Sequence, residues 1–282
     1  MLASLLHIRG APVYWALSAV LMLGVLAYAP SPAHADRGRV GYIVIDAGHG
    51  GDDLGAIGRD GVVEKDVALR LSVQLGKKLE LAGVRVSYTR EDDSFVSLAE
   101  RTTHANITHA DLFISLHMNA SKDAAARGPE TYFLSLTASD DEAYQVALTE
   151  NEVFKRGAPD SADIVGSILG ELIRSDHMQS SNKAAAAIQR ELAKLPGPQR
   201  GVKQAPFVVL SGVNMPAVLL DVGFLTNAQD ERNLSDSGYR DDIASAIVRA
   251  IGGLQIVDRS KPEDRPDSAR TAPGAPGSPG GR

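Results

Sequence analysis

The sequence predicts an α/β protein with a single, largely parallel, twisted sheet of about six strands between helical layers. Two observations support this fold class. Short apolar runs of strand length alternate with segments in which apolar residues recur at helical spacing, and such alternation implies right-handed crossovers between parallel strands. In addition, a histidine follows two of these runs, at the sheet edge where parallel sheets place their sites.

The first half of the chain contains strands and helices in strict alternation. The first strand, residues 42–45, leads into Asp46 and a glycine-flanked histidine, His49. A helix follows from Glu64, because apolar residues recur at every fourth position until a stop at Gly83. The next predicted elements are a strand over residues 84–88, a helix over 98–110, a strand over 112–116 that ends on His117, and a strand over 131–136.

Residues 138–178 interrupt this alternation, and we interpret them as an inserted helical segment. Ser139 and Glu142 have the spacing of a capping box at the start of a helix. The three consecutive helices predicted in and after this segment cover residues 139–154, 162–174 and 181–195.

Two more apolar runs complete the predicted sheet. They cover residues 207–210 and 217–220, and the second leads directly to Asp221. Asn227 and Asp230 are spaced as the start of a helix, and a last amphipathic helix begins near residue 240.

The two ends of the chain differ from this globular part in composition. Residues 1–35 carry one charge, Arg9, before a long apolar run that ends in Ala33-His34-Ala35, which predicts a secretory signal peptide cleaved after Ala35. The alternative is an uncleaved membrane anchor. Residues 259–282 are rich in Pro, Gly, Ser and Arg and predict a disordered tail. We therefore expect one globular domain, residues 36–258, outside the cytoplasm.

Charge and cysteine content restrict the partners and the site chemistry. The chain has a net charge of −6, and both terminal segments are basic, so the domain between them is more acidic still. Such a surface argues against a nucleic-acid partner. The chain contains no cysteine, so a metal site would have to use His, Asp or Glu.

A catalytic zinc site needs three protein ligands with nitrogen or oxygen donors and one open position. His49, His117 and Glu64 can supply these ligands, since the histidines follow strands and Glu64 opens a helix beside the same sheet edge. The alternatives are a structural histidine in a glycine turn and, for Glu64, a solvated charge at a helix N-terminus. Hydrolysis also needs a carboxylate that takes and returns a proton, and Asp221 is the candidate. Its alternative role is to cap the turn at Gly223.

Taken together, these residues match the motifs of a known family. The chain resembles the zinc-dependent N-acetylmuramoyl-L-alanine amidases of the type 3 class, in order from about Gly41 to Leu254. The matching motifs include Asp46-x-Gly48-His49-Gly50-Gly51, Gly61-x-x-Glu64-Lys65-Asp66, Ser115-Leu116-His117-x-Asn119-Ala120 and Gly223-Phe224-Leu225-x-Asn227. The resemblance implies one zinc ion held by His49, Glu64 and His117. It also implies cleavage of the peptidoglycan amide that joins the lactyl group of N-acetylmuramic acid to L-alanine.

One residue departs from the family pattern. The family usually has glutamate before Val-Gly-Phe, where this chain has the shorter Asp221. Our hypothesis is that Asp221 is still the general acid and base. Two alternatives remain, a non-catalytic peptidoglycan-binding or regulatory homologue and a zinc carboxypeptidase that acts on the stem peptide.

The inserted helices resemble the regulatory insertion of the cell-division amidases in this family, in which a helix covers the site and one of its glutamates fills the open zinc position. Glu150 lies on an apolar stripe of the first inserted helix, so we predict Glu150 as this inhibitory ligand, with Glu152 as the second choice. The alternative is that Glu150 faces water. The resemblance further implies release by a partner, often a LytM-type activator.

Two more polar residues are assigned to the neighbourhood of the site. Asp46 is predicted to orient a ligand imidazole or, alternatively, to stabilise the turn through an Asx hydrogen bond. Asn119 is predicted to contact the substrate.

Overall fold

Six strands form one mixed sheet in the computed structural model, which describes residues 38–155 and 175–256. Their order across the sheet is β2-β1-β3-β6-β4-β5, and β4 runs antiparallel to β6 while the other neighbouring pairs are parallel. The strands are β1 (Tyr42–Ala47), β2 (Arg85–Tyr88), β3 (Leu112–Asn119), β4 (Glu130–Leu134), β5 (Gly201–Ala205) and β6 (Ala217–Phe224). The predicted α/β fold with a largely parallel sheet is confirmed.

Helices cover both faces of this sheet. The described helices are α1 (Glu64–Leu81), α2 (Leu98–Thr108), α3 (Asp141–Lys155), α4 (Ser175–Leu192), α5 (Val208–Ser211), α6 (Ala228–Ser235) and α7 (Ser237–Gly252). Side chains of α1, α4 and α7 share one buried cluster with Ile43, Ile114 and Leu220 of the sheet. Side chains of α2, α3 and α5 share the other cluster with Val44 and Phe113. Because successive strand residues point to opposite faces, the central strands are buried on both sides and contribute to both clusters.

Helix boundaries follow local hydrogen-bonding chemistry. A reciprocal capping box starts α2, where the Ser97 hydroxyl accepts from the Glu100 backbone and the Glu100 carboxylate accepts from the Ser97 backbone. Asn227 caps α6, as its sequence pattern predicted. The capping box predicted at Ser139 is wrong: Asp140 accepts the hydrogen bond from the backbone of Ala143, and Glu142 turns to other partners.

The strand predicted over residues 207–210 is also wrong. This apolar run forms the short helix α5, and the strand lies just before it in the more polar sequence of β5. Both outcomes have a physical reason. β5 pairs only with β4, so it is an edge strand, and Val202 and Ala205 are its only apolar side chains. Pro206 ends it because proline has no backbone N–H for the ladder.

Three predicted segments lie outside the described residues. These are the signal segment (residues 1–35), the helix over 162–174 and the tail (259–282). The helix predicted from Ser181 begins earlier, at Ser175. Within the described residues, no helix combines the length and apolar character needed to cross a membrane.

Candidate metal centre

The carboxyl ends of β1, β3 and β6 meet at one edge of the sheet. His49 lies just beyond β1, with a left-handed backbone at φ 59°, and His117 lies near the end of β3. The rings of the two histidines have centroids 5.0 Å apart in an edge-to-face arrangement. Gly48 permits this approach, since a Cβ atom there would lie 2.4 Å from Cε1 of His117.

Glu64 joins the two imidazoles. Its Oε1 lies 3.1 Å from Nε2 of His49 and 3.1 Å from Nδ1 of His117. The same oxygen accepts a hydrogen bond from the backbone of Met118 (2.9 Å), and Oε2 accepts one from Ala56 (2.7 Å). Glu64 is only 1% exposed, so it is not a solvated charge at the N-terminus of α1.

Glu150 reaches the same point from the opposite side. Its Oε2 lies 3.2 Å from Nδ1 of His117 and 3.6 Å from Nε2 of His49. One donor atom from each of His49, Glu64, His117 and Glu150 falls within 4.8 Å of the other three. Glu152, the second choice, is exposed to solvent. Glu150 therefore points into the cluster and not into water.

Charges in this cluster shift the pKa values of its members in opposite directions. Burial alone would lower the pKa of His117, but the carboxylates of Glu150 and Glu64 outweigh it and raise that pKa to about 10. Burial likewise opposes a raised pKa at His49, yet Glu64, Glu150 and Asp53 hold it well above its usual value. Burial would raise the pKa of Glu64, but the two histidines lower it. The carboxylates thus favour the protonated form of both imidazoles.

One buried donor atom in the cluster is left unused. Nε2 of His49 is buried and makes no hydrogen bond to any described residue, although it lies 3.1 Å from Oε1 of Glu64. A buried polar nitrogen normally has a partner. Two imidazoles and two carboxylates around such an atom are a donor set that suits zinc.

Asp53, which the sequence analysis did not single out, orients His49. Its Oδ2 lies 3.0 Å from Nδ1 of His49, so the other ring nitrogen faces the cluster. The prediction that Asp46 orients a ligand imidazole is wrong. The alternative, that Asp46 stabilises the turn through an Asx hydrogen bond, is wrong as well. Asp46 is buried and accepts hydrogen bonds from Arg101 (2.7 Å), Thr89 (2.6 Å) and Ser115 (2.7 Å). Asp53 stands four residues after His49 and Asp46 three residues before it, so sequence spacing alone does not distinguish the two aspartates.

Asp221 lies in β6 opposite His117 of β3 and Glu130 of β4. It is buried, and its Oδ2 finds no hydrogen-bond partner among the described residues. Burial raises the pKa of Asp221 well above its usual value, and nearby carboxylates including Glu150 add to this against the opposing charge of His117. Gly223 and Phe224 still belong to β6, and the backbone of Phe224 donates to Asp230 and not to Asp221, so the alternative role of Asp221 as a turn cap is wrong.

A cavity of about 660 Å³ opens beside the cluster. Asn119 lines it at the end of β3, and its Nδ2 donates to Oε2 of Glu130 at 3.4 Å. Glu130 is fully buried and also receives the Tyr132 hydroxyl and the cations of Arg200 and Lys203. Glu130 could not be predicted as a site residue, because nothing in the sequence shows that a glutamate at a strand start faces inward.

Comparison with known proteins identifies the family. The family model described as N-acetylmuramoyl-L-alanine amidase matches residues 43–252. The chain belongs to this family. The family assignment and the enzyme class, a hydrolase, are thus confirmed.

Individual relatives and a solved structure are also named as amidases. The chain is 33% identical to N-acetylmuramoyl-L-alanine amidase AmiA of Escherichia coli over 74% of each chain. It is 31% identical to the amidase AmiC of Neisseria meningitidis over 79% of this chain and 54% of that protein. Among solved structures, the CwlD amidase of Clostridioides difficile in complex with the GerS lipoprotein is 27% identical with a TM-score of 0.57, over 75% of this chain and 96% of that chain.

Proposed function

We propose that this amidase hydrolyses the peptidoglycan amide between the lactyl group of N-acetylmuramic acid and L-alanine, with zinc held by His49, Glu64 and His117. The observation that carries this proposal is the convergence of these three residues at one sheet edge, in a chain whose family model spans residues 43–252. Zinc at this position would polarise the scissile carbonyl and activate the attacking water.

Protein groups supply the remaining chemistry. Asp221 lies across the strands from His117 with an unpartnered carboxylate oxygen, so it can accept a proton from the attacking water and return it to the departing amine of L-alanine. A raised pKa suits a group that must both take and give a proton near neutral pH. Asn119, which lines the cavity, remains our candidate for a substrate contact.

In this structure α3 places Glu150 in the cluster, and we call this the closed arrangement. In that arrangement Glu150 would block the reaction. Its carboxylate lies among the ligand atoms, where a metal would otherwise keep a position for water or substrate. We infer that α3 is an autoinhibitory helix and that a partner protein releases it. The relative CwlD was solved with a lipoprotein partner, which supports regulation by a protein in this family. We further propose that the releasing partner is a LytM-type activator and that the enzyme is exported to the periplasm or cell-wall space.

Intact peptidoglycan sacculi provide the test. The full chain carrying Glu150→Ala is incubated with sacculi and zinc, and the soluble products are identified by mass spectrometry. We expect free stem peptides that begin with L-alanine. Binding to sacculi without release would favour the non-catalytic homologue, and loss of single carboxyl-terminal residues would favour the carboxypeptidase. Either result would overturn the proposed function.

A further inference from the structure

A second carboxylate of α3 lines the same cavity and pairs with two cations, Arg200 and Lys203. Glu142 lies two turns before Glu150, and both residues line the cavity of about 660 Å³. Oε1 of Glu142 lies 2.6 Å from Nη2 of Arg200, and Oε2 lies 3.0 Å from Nζ of Lys203. The side chain of Glu142 is 43% exposed, whereas those of Arg200 and Lys203 are 21% and 11% exposed. In this ion cluster, the carboxylate from α3 is thus more exposed than the two cations, which lie in β5 and just before it.

If α3 and its cap moved away, Arg200 and Lys203 would keep one carboxylate partner. Glu130 of β4 pairs with both, through Nε of Arg200 and, at 3.1 Å, through Nζ of Lys203. Asp140 also lies 3.5 Å from Lys203, but it caps α3 and would leave with the helix. Displacing α3 would therefore leave two positive charges beside one negative charge.

Arg200 is fixed for recognition of a carboxylate. Its guanidinium carbon lies 4.8 Å from the centre of the Phe224 ring, and its Nε is held by Glu130. The fork that faces Glu142 is thus oriented before any ligand arrives, which favours carboxylate binding by arginine. A local positive site would also offset the repulsion of an acidic peptide by a chain with a net charge of −6.

We propose that Arg200 and Lys203 form a subsite for a carboxylate of the stem peptide, which Glu142 occupies in the closed arrangement as Glu150 occupies the metal position. This inference rests on the proposed function. The two glutamates are eight positions apart in α3, about 12 Å of helix rise, which three to four extended residues would span. The subsite therefore takes a carboxylate of the third stem residue, on its α-carbon or its side chain.

Defined muropeptides that differ in one charge test the subsite. The first compound is N-acetylmuramyl-L-alanyl-D-isoglutaminyl-L-lysine with a free terminal carboxylate, and the second is its terminal amide. With the full-length Glu150→Ala chain and zinc, we expect KM about tenfold lower for the carboxylate, as for one charge-assisted contact. A third compound, with meso-diaminopimelate as the third residue and a terminal amide, places the carboxylate on the side chain. If it has the lower KM, the side-chain carboxylate is the ligand.

Two variants separate the subsite from general damage. Adding Glu142→Gln to Glu150→Ala removes the competing carboxylate and should lower KM for the carboxylate compound several-fold without changing KM for the amide. Lys203→Met in the same background should abolish the preference between the two compounds. Equal KM values for all three compounds in the parent chain, together with no response to Glu142→Gln, would overturn the subsite.

A binding measurement separates this proposal from the proposed function. Titration of the product peptide L-alanyl-D-isoglutaminyl-L-lysine into the Glu142→Gln chain without zinc requires no catalysis. Tighter binding than to the unsubstituted chain, lost in the terminal amide, supports the subsite even if neither muropeptide is hydrolysed. Hydrolysis without any such binding difference supports the function and overturns the subsite.

Discussion

The proposed role of Asp221 as general acid and base can be tested at the residue itself. Its carboxylate is buried with an unpartnered oxygen, so its replacement by the isosteric amide removes the proton acceptor and leaves the packing intact. We expect Asp221→Asn to lower kcat by about 10²- to 10⁴-fold in the Glu150→Ala background. Asp221→Glu, which restores the usual family residue, should keep measurable turnover. The measurement is the rate of stem-peptide release with zinc content determined in parallel, and unchanged turnover of Asp221→Asn would contradict the assignment.

Asp46 contributes to the stability of the fold, and its protonation makes the free energy of unfolding depend on pH. Burial disfavours its charge, but Arg101 and the hydroxyls of Thr89 and Ser115 outweigh this and lower its pKa below the usual 3.8. A depressed pKa contributes stability that is present above pH 3.8 and is lost as pH falls through the folded-state value.

Asp46→Asn should therefore destabilise the fold at neutral pH by about 3 kcal/mol, because Arg101 loses its buried partner. The deficit should shrink on acidification below pH 3.8, when the parent loses the same charge. Urea unfolding at pH 7 and at lower pH measures both effects. A deficit that does not depend on pH would show that the packing of Asp46, and not its charge, is responsible.

Single residues also mark how far the sequence can predict this site. His49, Glu64 and His117 were found because glycine flanks and strand ends leave a readable pattern. Asp53 and Asp46 could not be told apart, since both are aspartates near the same turn and only the fold decides which faces the imidazole. The pairing of Arg200 and Lys203 with Glu142 depends on a contact between distant segments, which no local pattern encodes.

At the scale of elements, α3 is tested most directly through its two neighbouring glutamates. Glu150 points into the cluster and Glu152 is exposed, so the two substitutions to Ala are matched in position and chemistry. If α3 is docked in about nine-tenths of molecules, Glu150→Ala should raise basal turnover about tenfold, and Glu152→Ala should not change it. Turnover is followed on sacculi with zinc and without an activator. Equal rates for the two variants would contradict autoinhibition by Glu150.

Asn151 fastens the same helix to the segment that joins β5 to α5. Its Nδ2 donates to the carbonyl of Pro206 at 2.8 Å, and its Oδ1 accepts from the backbone of Val208 at 2.8 Å. Each bond contributes about 1 kcal/mol, so Asn151→Ala should increase the ratio of displaced to docked α3 by about five- to thirtyfold.

Two measurements are expected to respond to Asn151→Ala. Basal turnover should rise although the metal ligands and Glu150 are unchanged, and limited proteolysis should cut α3 faster than in the Glu152→Ala control. Faster proteolysis without a rise in turnover would mean that the helix can leave without freeing the site.

Elements differ in how well the sequence predicts them. The buried strands β1, β3 and β6 and the amphipathic α1 were predicted within a few residues, because burial on one or both faces leaves a strong periodic signal. β5 was missed for the opposite reason. It is a polar edge strand, and the apolar run just after it packs as the helix α5. An apolar run of four residues reveals burial but does not distinguish a strand from a helical turn.

For the whole molecule, the proposed zinc site would link metal uptake to the protonation of the cluster and to stability. Without a cation, His117 is protonated at neutral pH with a pKa of about 10, and the pKa of His49 is also well above its usual value. Zinc requires neutral imidazoles, so its uptake must release about two protons near pH 7. A raised pKa contributes stability that is fully present below pH 6.5 and is lost as pH rises through about 10.

The metal-free protein should therefore lose stability across that pH window, whereas the zinc-loaded protein should lose less. Zinc at about 100 times its Kd should add about 2.7 kcal/mol, and EDTA should remove this gain. Calorimetry in two buffers of different ionisation enthalpy counts the released protons, and thermal melts with zinc and with EDTA measure the stability difference. The His117→Ala chain serves as the control, because one proton acceptor is missing. A heat of zinc binding that is the same in both buffers would mean that the imidazoles are already neutral, and the carboxylates would then not hold the protons that the metal displaces.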